Sequence, residues 1–278
     1  MCYKTILVHA DLAAAADERL RLAARLARTF AAHLVGAAAT GVSRFVPPQV
    51  LAHGGPALAT CCAALRADAR EALERFERVA RAEDVASFEA RLVDDDIDGG
   101  LALQARYADL AIVGQPEHGI VAPPASGDLP AQLLLHAGRP LLVLPRAGRH
   151  AGLDGAALVA WDGSTAATRA VTAALPLLRR ARAVTVLHVE AHGPAPRIDD
   201  DPCLALAGWL ARHGIRTHAA HAGAPHGVGA ALLAHIARDD AGLLVMGAYG
   251  RPRLRERLLD GTTEALLRAT TVPTLLAH

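Results

Sequence analysis

Aromatic residues are scarce in this chain. They make up 3% of its 278 positions, so any core must be built from Ala, Leu and Val, and the abundant alanines suit closely packed helices. An excess of charge of one sign is also missing. The formal net charge is +1, which excludes the clustered Lys/Arg footprint of a dedicated DNA or RNA binder, and no nucleic-acid partner is expected. Apolar runs stay well short of the roughly 20 residues that span a bilayer, so no membrane association is expected. The opening Met1-Cys2-Tyr3-Lys4-Thr5-Ile6-Leu7-Val8-His9-Ala10-Asp11 runs straight into a short apolar strand without a signal-peptide layout. A cytoplasmic location follows as the expectation.

Cysteine is sparse too. Cys2, Cys61, Cys62 and Cys203 show neither C-x-x-C nor zinc-finger spacing, and a reducing cytosol keeps them as thiols. Cys61 and Cys62 fall on an apolar helical stripe and are expected in the core. The sequence also lacks a Gly-x4-Gly-Lys-Ser/Thr loop, a Gly-x-Ser-x-Gly elbow and a His-Glu-x-x-His pair. Gly227-Val228-Gly229 has no third glycine and reads as a helix start. The histidines at 213, 218, 221 and 226 straddle a strand whose alternate residues face opposite ways, so they do not specify a metal site. Asp94-Asp95-Asp96 and Asp199-Asp200-Asp201 precede helices, where acids favour the positive dipole end. No catalytic residue and no metal ligand is assigned.

What the chain does contain is a repeat. Ala108-Asp109-Leu110-Ala111-Ile112-Val113-Gly114 corresponds to Ala241-Gly242-Leu243-Leu244-Val245-Met246-Gly247. Arg139-Pro140-Leu141-Leu142-Val143-Leu144 corresponds, at the same offset, to Val272-Pro273-Thr274-Leu275-Leu276-Ala277. Each half begins with a strand ending in aspartate, Thr5–Ala10 before Asp11 and Ala156–Trp161 before Asp162. Strands then alternate with amphipathic helices, which implies parallel sheets with helices on both faces. With 52% hydrophobic residues the chain can fill two ordinary cores. The expected domains are residues 1–146 and 153–278, joined by a hinge at Arg146–Gly155 that lacks apolar periodicity.

The most specific local feature is Leu243-Leu244-Val245-Met246-Gly247-Ala248-Tyr249-Gly250, followed by Arg251–Leu259 and then Asp260-Gly261-Thr262-Thr263-Glu264. A buried strand delivers the backbone to the carboxyl edge of a parallel sheet. Glycines then let it approach a ligand, and a helix start supplies free N–H groups and a positive dipole end. Such a device suits a nucleotide phosphate.

These residues, with the basic Arg251-Pro252-Arg253-Leu254-Arg255-Glu256 and the ending Val272–His278, resemble the universal stress protein superfamily, in its tandem two-domain bacterial form. The resemblance implies two doubly wound, five-stranded, Rossmann-like domains of the adenine nucleotide alpha hydrolase-like type, related by a pseudo-two-fold axis. It further implies pairing of the two final strands into an intrachain pseudo-dimer, with further homo-oligomerisation left open, and a role in stress adaptation through a protein partner the sequence does not identify. In the carboxyl-terminal domain it implies ATP, with Mg²⁺, held by Ala160, Val189 and Met246 around the base and by Asp162, Gly247, Gly250, Gly261, Thr262 and Thr263 around ribose and phosphates.

The chain departs from the family signature Gly-x2-Gly-x9-Gly-Ser/Thr, because Asp260 stands at the third glycine unless the loop bulges by one residue to bring Gly261-Thr262 into place. The amino-terminal half lacks the signature altogether: Gly114 is followed by Gln115-Pro116-Glu117-His118-Gly119, and this half is expected to bind no nucleotide. Three readings follow. The carboxyl-terminal domain keeps an adenine-nucleotide site that biases a conformation or partner surface; or both sites are dead and the chain is an interaction scaffold; or bound ATP is slowly hydrolysed.

Overall fold

The computed structural model describes residues 2–46, 49, 53–115, 129–147, 152–190, 201–248 and 262–278. The chain forms two compact units, Cys2–Leu141 and Leu142–His278. In the first, strands β1 (Thr5–His9), β2 (His33–Ala39), β3 (Phe88–Val93) and β4 (Leu110–Gly114) alternate with helices α1 (Ala16–Phe30), α2 (Gly55–Ala82), α3 (Ile97–Ala105) and α4 (Leu129–His136). Parallel ladders join β1 to β2 and β4, and β2 to β3, giving the order β3-β2-β1-β4. The division between units falls inside β5 (Leu141–Leu144).

The second unit repeats the plan. It contains β6 (Ala156–Ala160), α5 (Thr165–Leu178), β7 (Ala183–Glu190), α6 (Pro202–Arg212), β8 (Thr217–Gly223), α7 (Val228–Arg238), β9 (Ala241–Gly247), α8 (Thr262–Ala269) and β10 (Thr274–Ala277). All ladders are parallel, in the order β10-β9-β6-β7-β8. The winding is that of a doubly wound α/β sheet, with the direction of progression reversing between β6 and β9. Each half of the chain thus contributes five strands.

Burial explains why central strands are uninterrupted apolar runs. Ile6-Leu7-Val8, Leu110–Val113 and Leu243–Val245 are buried throughout, as strands covered by helices on both faces must be. The outermost strands β3 and β8 are mostly half-exposed and carry Glu89, Arg91, His218 and His221. Helix starts follow the acids and glycines read from sequence. Asp96 accepts from Gly99 N at 2.7 Å and Asp201 from Cys203 N at 2.7 Å, while Gly227, at φ 90°, precedes α7.

Helix α2 corrects one expectation. Its buried stripe is Ala69, Ala72, Leu73, Phe76 and Ala80, whereas Cys61 and Leu65 are exposed and Cys62 is half-exposed. Apolar periodicity runs the full helix, but its buried residues all lie between Ala69 and Ala80, so the two thiols are not core residues. From the same helix Arg75 crosses to Asp17 of α1 at 2.5 Å.

The few aromatics concentrate in the first unit. Phe76 lies over β2 and meets Phe88 edge-on at 6.0 Å between ring centroids. Gly36 makes this possible, because a Cβ there would lie 2.4 Å from the Phe76 ring. Gly36→Ala is therefore expected to destabilise the unit by about 1–3 kcal/mol through overpacking. In a urea-denaturation double-mutant cycle, Phe76→Leu should recover much of that loss, since it removes the atoms in collision.

Candidate functional site

In the second unit, β6 ends at Ala160 and the chain turns through Trp161, Asp162 and Gly163 into α5. Gly163 adopts φ 71°, which a side chain would resist, and Asp162 Oδ1 accepts from Ser164 N at 3.0 Å. Ser164 caps the helix, its hydroxyl accepting from Ala167 N at 3.1 Å. No acidic residue sits in the first turn of α5, so the positive end of the helix is not offset by its own side chains.

Gly247 closes β9 directly against that first turn. A Cβ at this position would lie 2.4 Å from Ala167 N and 2.8 Å from Ala166 C, so only glycine fits without moving helix backbone. Neighbouring strands complete the edge. Met246 pairs in register with Ala160, and Ala160 with Leu187, two residues before Val189. Ala160, Asp162, Val189, Met246 and Gly247 therefore all lie at the carboxyl ends of three adjacent strands, β9, β6 and β7, at the reversal point of the sheet. Thr262 and Thr263 open α8, and Gly250, Asp260 and Gly261 lie outside the described residues. The same edge holds two buried polar atoms, Trp161 Nε1 and Glu190 Oε1, that have no hydrogen-bond partner among the described residues. A donor and an acceptor left in this state fit a ligand or water at the edge.

The corresponding place in the first unit is filled by protein. Asp11 follows β1 as Asp162 follows β6, and Gly114 ends β4 as Gly247 ends β9. Eight residues beyond Asp11, however, the chain has Arg19, where eight beyond Asp162 it has Ala170. The Arg19 side chain is 3% exposed, with Nη2 2.7 Å from Asp11 Oδ1. Its Nε donates to His9 O at 2.9 Å, and Nη1 lies where a Gly114 Cβ would be, 2.6 Å away. His9 Nδ1 adds a contact to Asp11 Oδ2 at 3.3 Å.

Electrostatics seal this cluster. Burial alone would raise the Asp11 carboxyl, but Arg19 and His9 more than reverse it and hold it below the usual carboxylate range. Burial lowers the His9 imidazole to about 4 against the opposing pull of Asp11, with Arg19 acting alongside burial, so His9 is neutral near pH 7. The start of α1 carries Asp17 and Glu18, which offset the helix dipole and would repel phosphate. Sequence reading overlooked Arg19. The signal was present as one cation on the apolar stripe of Ala16, Leu20, Ala23 and Ala27, all buried.

The sequence model of the universal stress protein family matches residues 156–278, from the first residue of β6 to the carboxyl terminus. The carboxyl-terminal half is a universal stress protein domain. Solved structures extend the likeness in fold to the whole chain. A universal stress protein from Archaeoglobus fulgidus DSM 4304 is 15% identical, with 98% of this chain and 95% of that chain covered at a TM-score of 0.76. A putative universal stress protein from Pseudomonas aeruginosa UCBPP-PA14 is 19% identical, with coverages of 99% and 93% and a TM-score of 0.60. A functionally unknown protein from Pseudomonas aeruginosa PAO1 is 18% identical, with coverages of 99% and 92% and a TM-score of 0.57. Among curated proteins, none matches the sequence. Two universal stress protein folds in tandem therefore account for the architecture, and among the described residues no helix is long and apolar enough to cross a membrane.

Proposed function

We propose that this chain is a tandem universal stress protein, with domains at residues 1–146 and 153–278, in which only the carboxyl-terminal domain holds an adenine nucleotide. ATP with Mg²⁺ is the form proposed. Ala160, Val189 and Met246 would wall the base, and Asp162 would accept from the ribose. Gly247, Gly250, Gly261, Thr262 and Thr263 would supply the close backbone path and the donors for phosphate. Occupancy then biases a conformation or a partner-binding surface in a stress-adaptation role, with no base or lysine placed for turnover among the described residues.

The observation that carries this reading is the contrast between the two equivalent edges. In one, Gly247 meets a helix start free of acids beside a solvent-exposed Asp162. In the other, Arg19 occupies the space over Gly114 and neutralises Asp11. Calorimetric titration of nucleotide-stripped protein with Mg-ATP tests it. Saturation near one site per chain is expected, and Asp162→Ala should weaken it by about tenfold or more, the worth of a charge-assisted hydrogen bond. Two sites, or a single site indifferent to Asp162, would overturn the assignment.

The second reading is a nucleotide-independent scaffold. It is favoured by the carboxylate at Asp260, and by Asp162 Oδ1 already accepting a bond from Ser164 N within its turn. Under that reading the natural protein gives no heat with ATP up to millimolar concentration. Binding would then appear only after Asp260→Gly and Gly261→Ser are combined.

A further inference from the structure

Toward the outer strand β8 of the second unit, three chemically distinct donors converge at the start of α6. Asp201 is the helix cap, Cys203 stands in the first turn, and His221 lies in the middle of β8. One ligand atom from each falls within 4.8 Å of the other two. We propose that Asp201, Cys203 and His221 form a binding site for one divalent transition-metal ion of the zinc class, with water completing the coordination.

The donor set and its geometry carry the argument. Zinc takes thiolate, imidazole and carboxylate at about 2.0–2.3 Å, which puts tetrahedral donors roughly 3.3–3.7 Å apart. The trio reaches that spacing by shifts of about one ångström at the side-chain tips. The carboxylate is already divided for the purpose. Oδ1 accepts from Cys203 N at 2.7 Å and fixes the group, while Oδ2 lies 2.9 Å from His221 Nε2. A metal ion would replace the proton shared between them. Behind His221, His188 is its partner in register on β7, with ring centroids 6.1 Å apart. Its Nδ1 lies 2.8 Å from Trp161 O, so the second ring is fixed against the backbone beside the site.

A helix cap and a His–Asp pair account for two of the three residues. Neither needs a buried thiol within reach. Cys203 is buried, and its sulfur lies 3.8 Å from Ala220 O. On binding a cation, the thiol would release its proton to solvent and ligate as the thiolate. His221 and the carboxylate leave the ion a solvent-side approach, since His221 is 32% exposed.

The test uses the full chain, stripped with a chelator and titrated with Zn²⁺ against a chromophoric competitor, then with Co²⁺ as a spectroscopic substitute. One equivalent per chain is expected, and the Co²⁺ form should show a thiolate-to-metal charge-transfer band in the near ultraviolet. Cys203→Ser should remove the band. His221→Ala, at a partly exposed position that leaves the fold intact, should weaken Zn²⁺ by at least about tenfold. Cys61→Ser and Cys62→Ser should change neither. Absence of the band in the natural protein, its survival in Cys203→Ser, or Zn²⁺ affinity unchanged in His221→Ala would each overturn the proposal. None of these readouts involves nucleotide, so they are separate from the ATP titration.

Discussion

Arg19→Ala is expected to lower the stability of the amino-terminal unit by about 3 kcal/mol, read as a lower urea midpoint. Removing one member of a buried ion pair costs about 3–5 kcal/mol because the remaining charge is left uncompensated. Asp11 is 30% exposed, so the low end applies. The expected partition is specific. Asp11→Ala combined with Arg19→Ala should recover most of the loss, since no orphaned carboxylate then remains, whereas a purely steric role for the arginine would give no recovery. His9 sharpens the distinction, because it keeps its contact with Asp11 in the single variant. The same variant bears on function. Emptying the space over Gly114 opens the first edge, yet Asp17 and Glu18 still offset the start of α1. ATP stoichiometry should therefore remain one per chain. A second site appearing on loss of Arg19 would mean that the guanidinium alone closes that edge.

The structural contrast between the two strand edges was only half legible in the sequence. Both aspartates at the strand ends, both terminal glycines and the offset between the halves are local patterns, and local patterns fix which elements form and in what order. The winding of each sheet follows from them, because parallel strands alternating with amphipathic helices allow few arrangements. Arg19 was hidden for a physical reason. A buried cation is recognised by its partners, and those are the Asp11 carboxylate and the His9 carbonyl, which the strand-to-helix turn brings back against α1. Cys61 and Cys62 failed oppositely: the stripe was real, but which part of it is buried depends on what packs against α2, which periodicity does not encode. Asp201 and His221 were each noticed within a separate run of like residues. Only the crossing of α6 over β8 joins them, at 2.9 Å.

The second large effect concerns Gly247. A methyl group there would meet Ala167 N at 2.4 Å and Ala166 C at 2.8 Å, and both are backbone atoms in the first turn of α5 rather than the tip of a flexible side chain. Gly247→Ala must therefore displace the turn, at about 1–3 kcal/mol for overpacking a close-packed contact. Gly242→Ala is the matched control on the same strand, since its Cβ would find only Ala156 O, at 3.9 Å, and its stability should stay within about 0.5 kcal/mol of the natural protein. Displacing the turn also moves the Ser164 cap and the Asp162 loop that leads into it. Mg-ATP affinity should then fall by about tenfold or more in Gly247→Ala, as expected when positioning groups shift by a fraction of an ångström, and remain unchanged in Gly242→Ala. The two measurements separate packing from binding. If stability drops while affinity holds, Gly247 is a packing residue and the nucleotide lies elsewhere. If neither changes, α5 yields to the methyl group and the close approach does not constrain the edge. A fall in both ties the helix start to the ligand through a contact that only glycine permits.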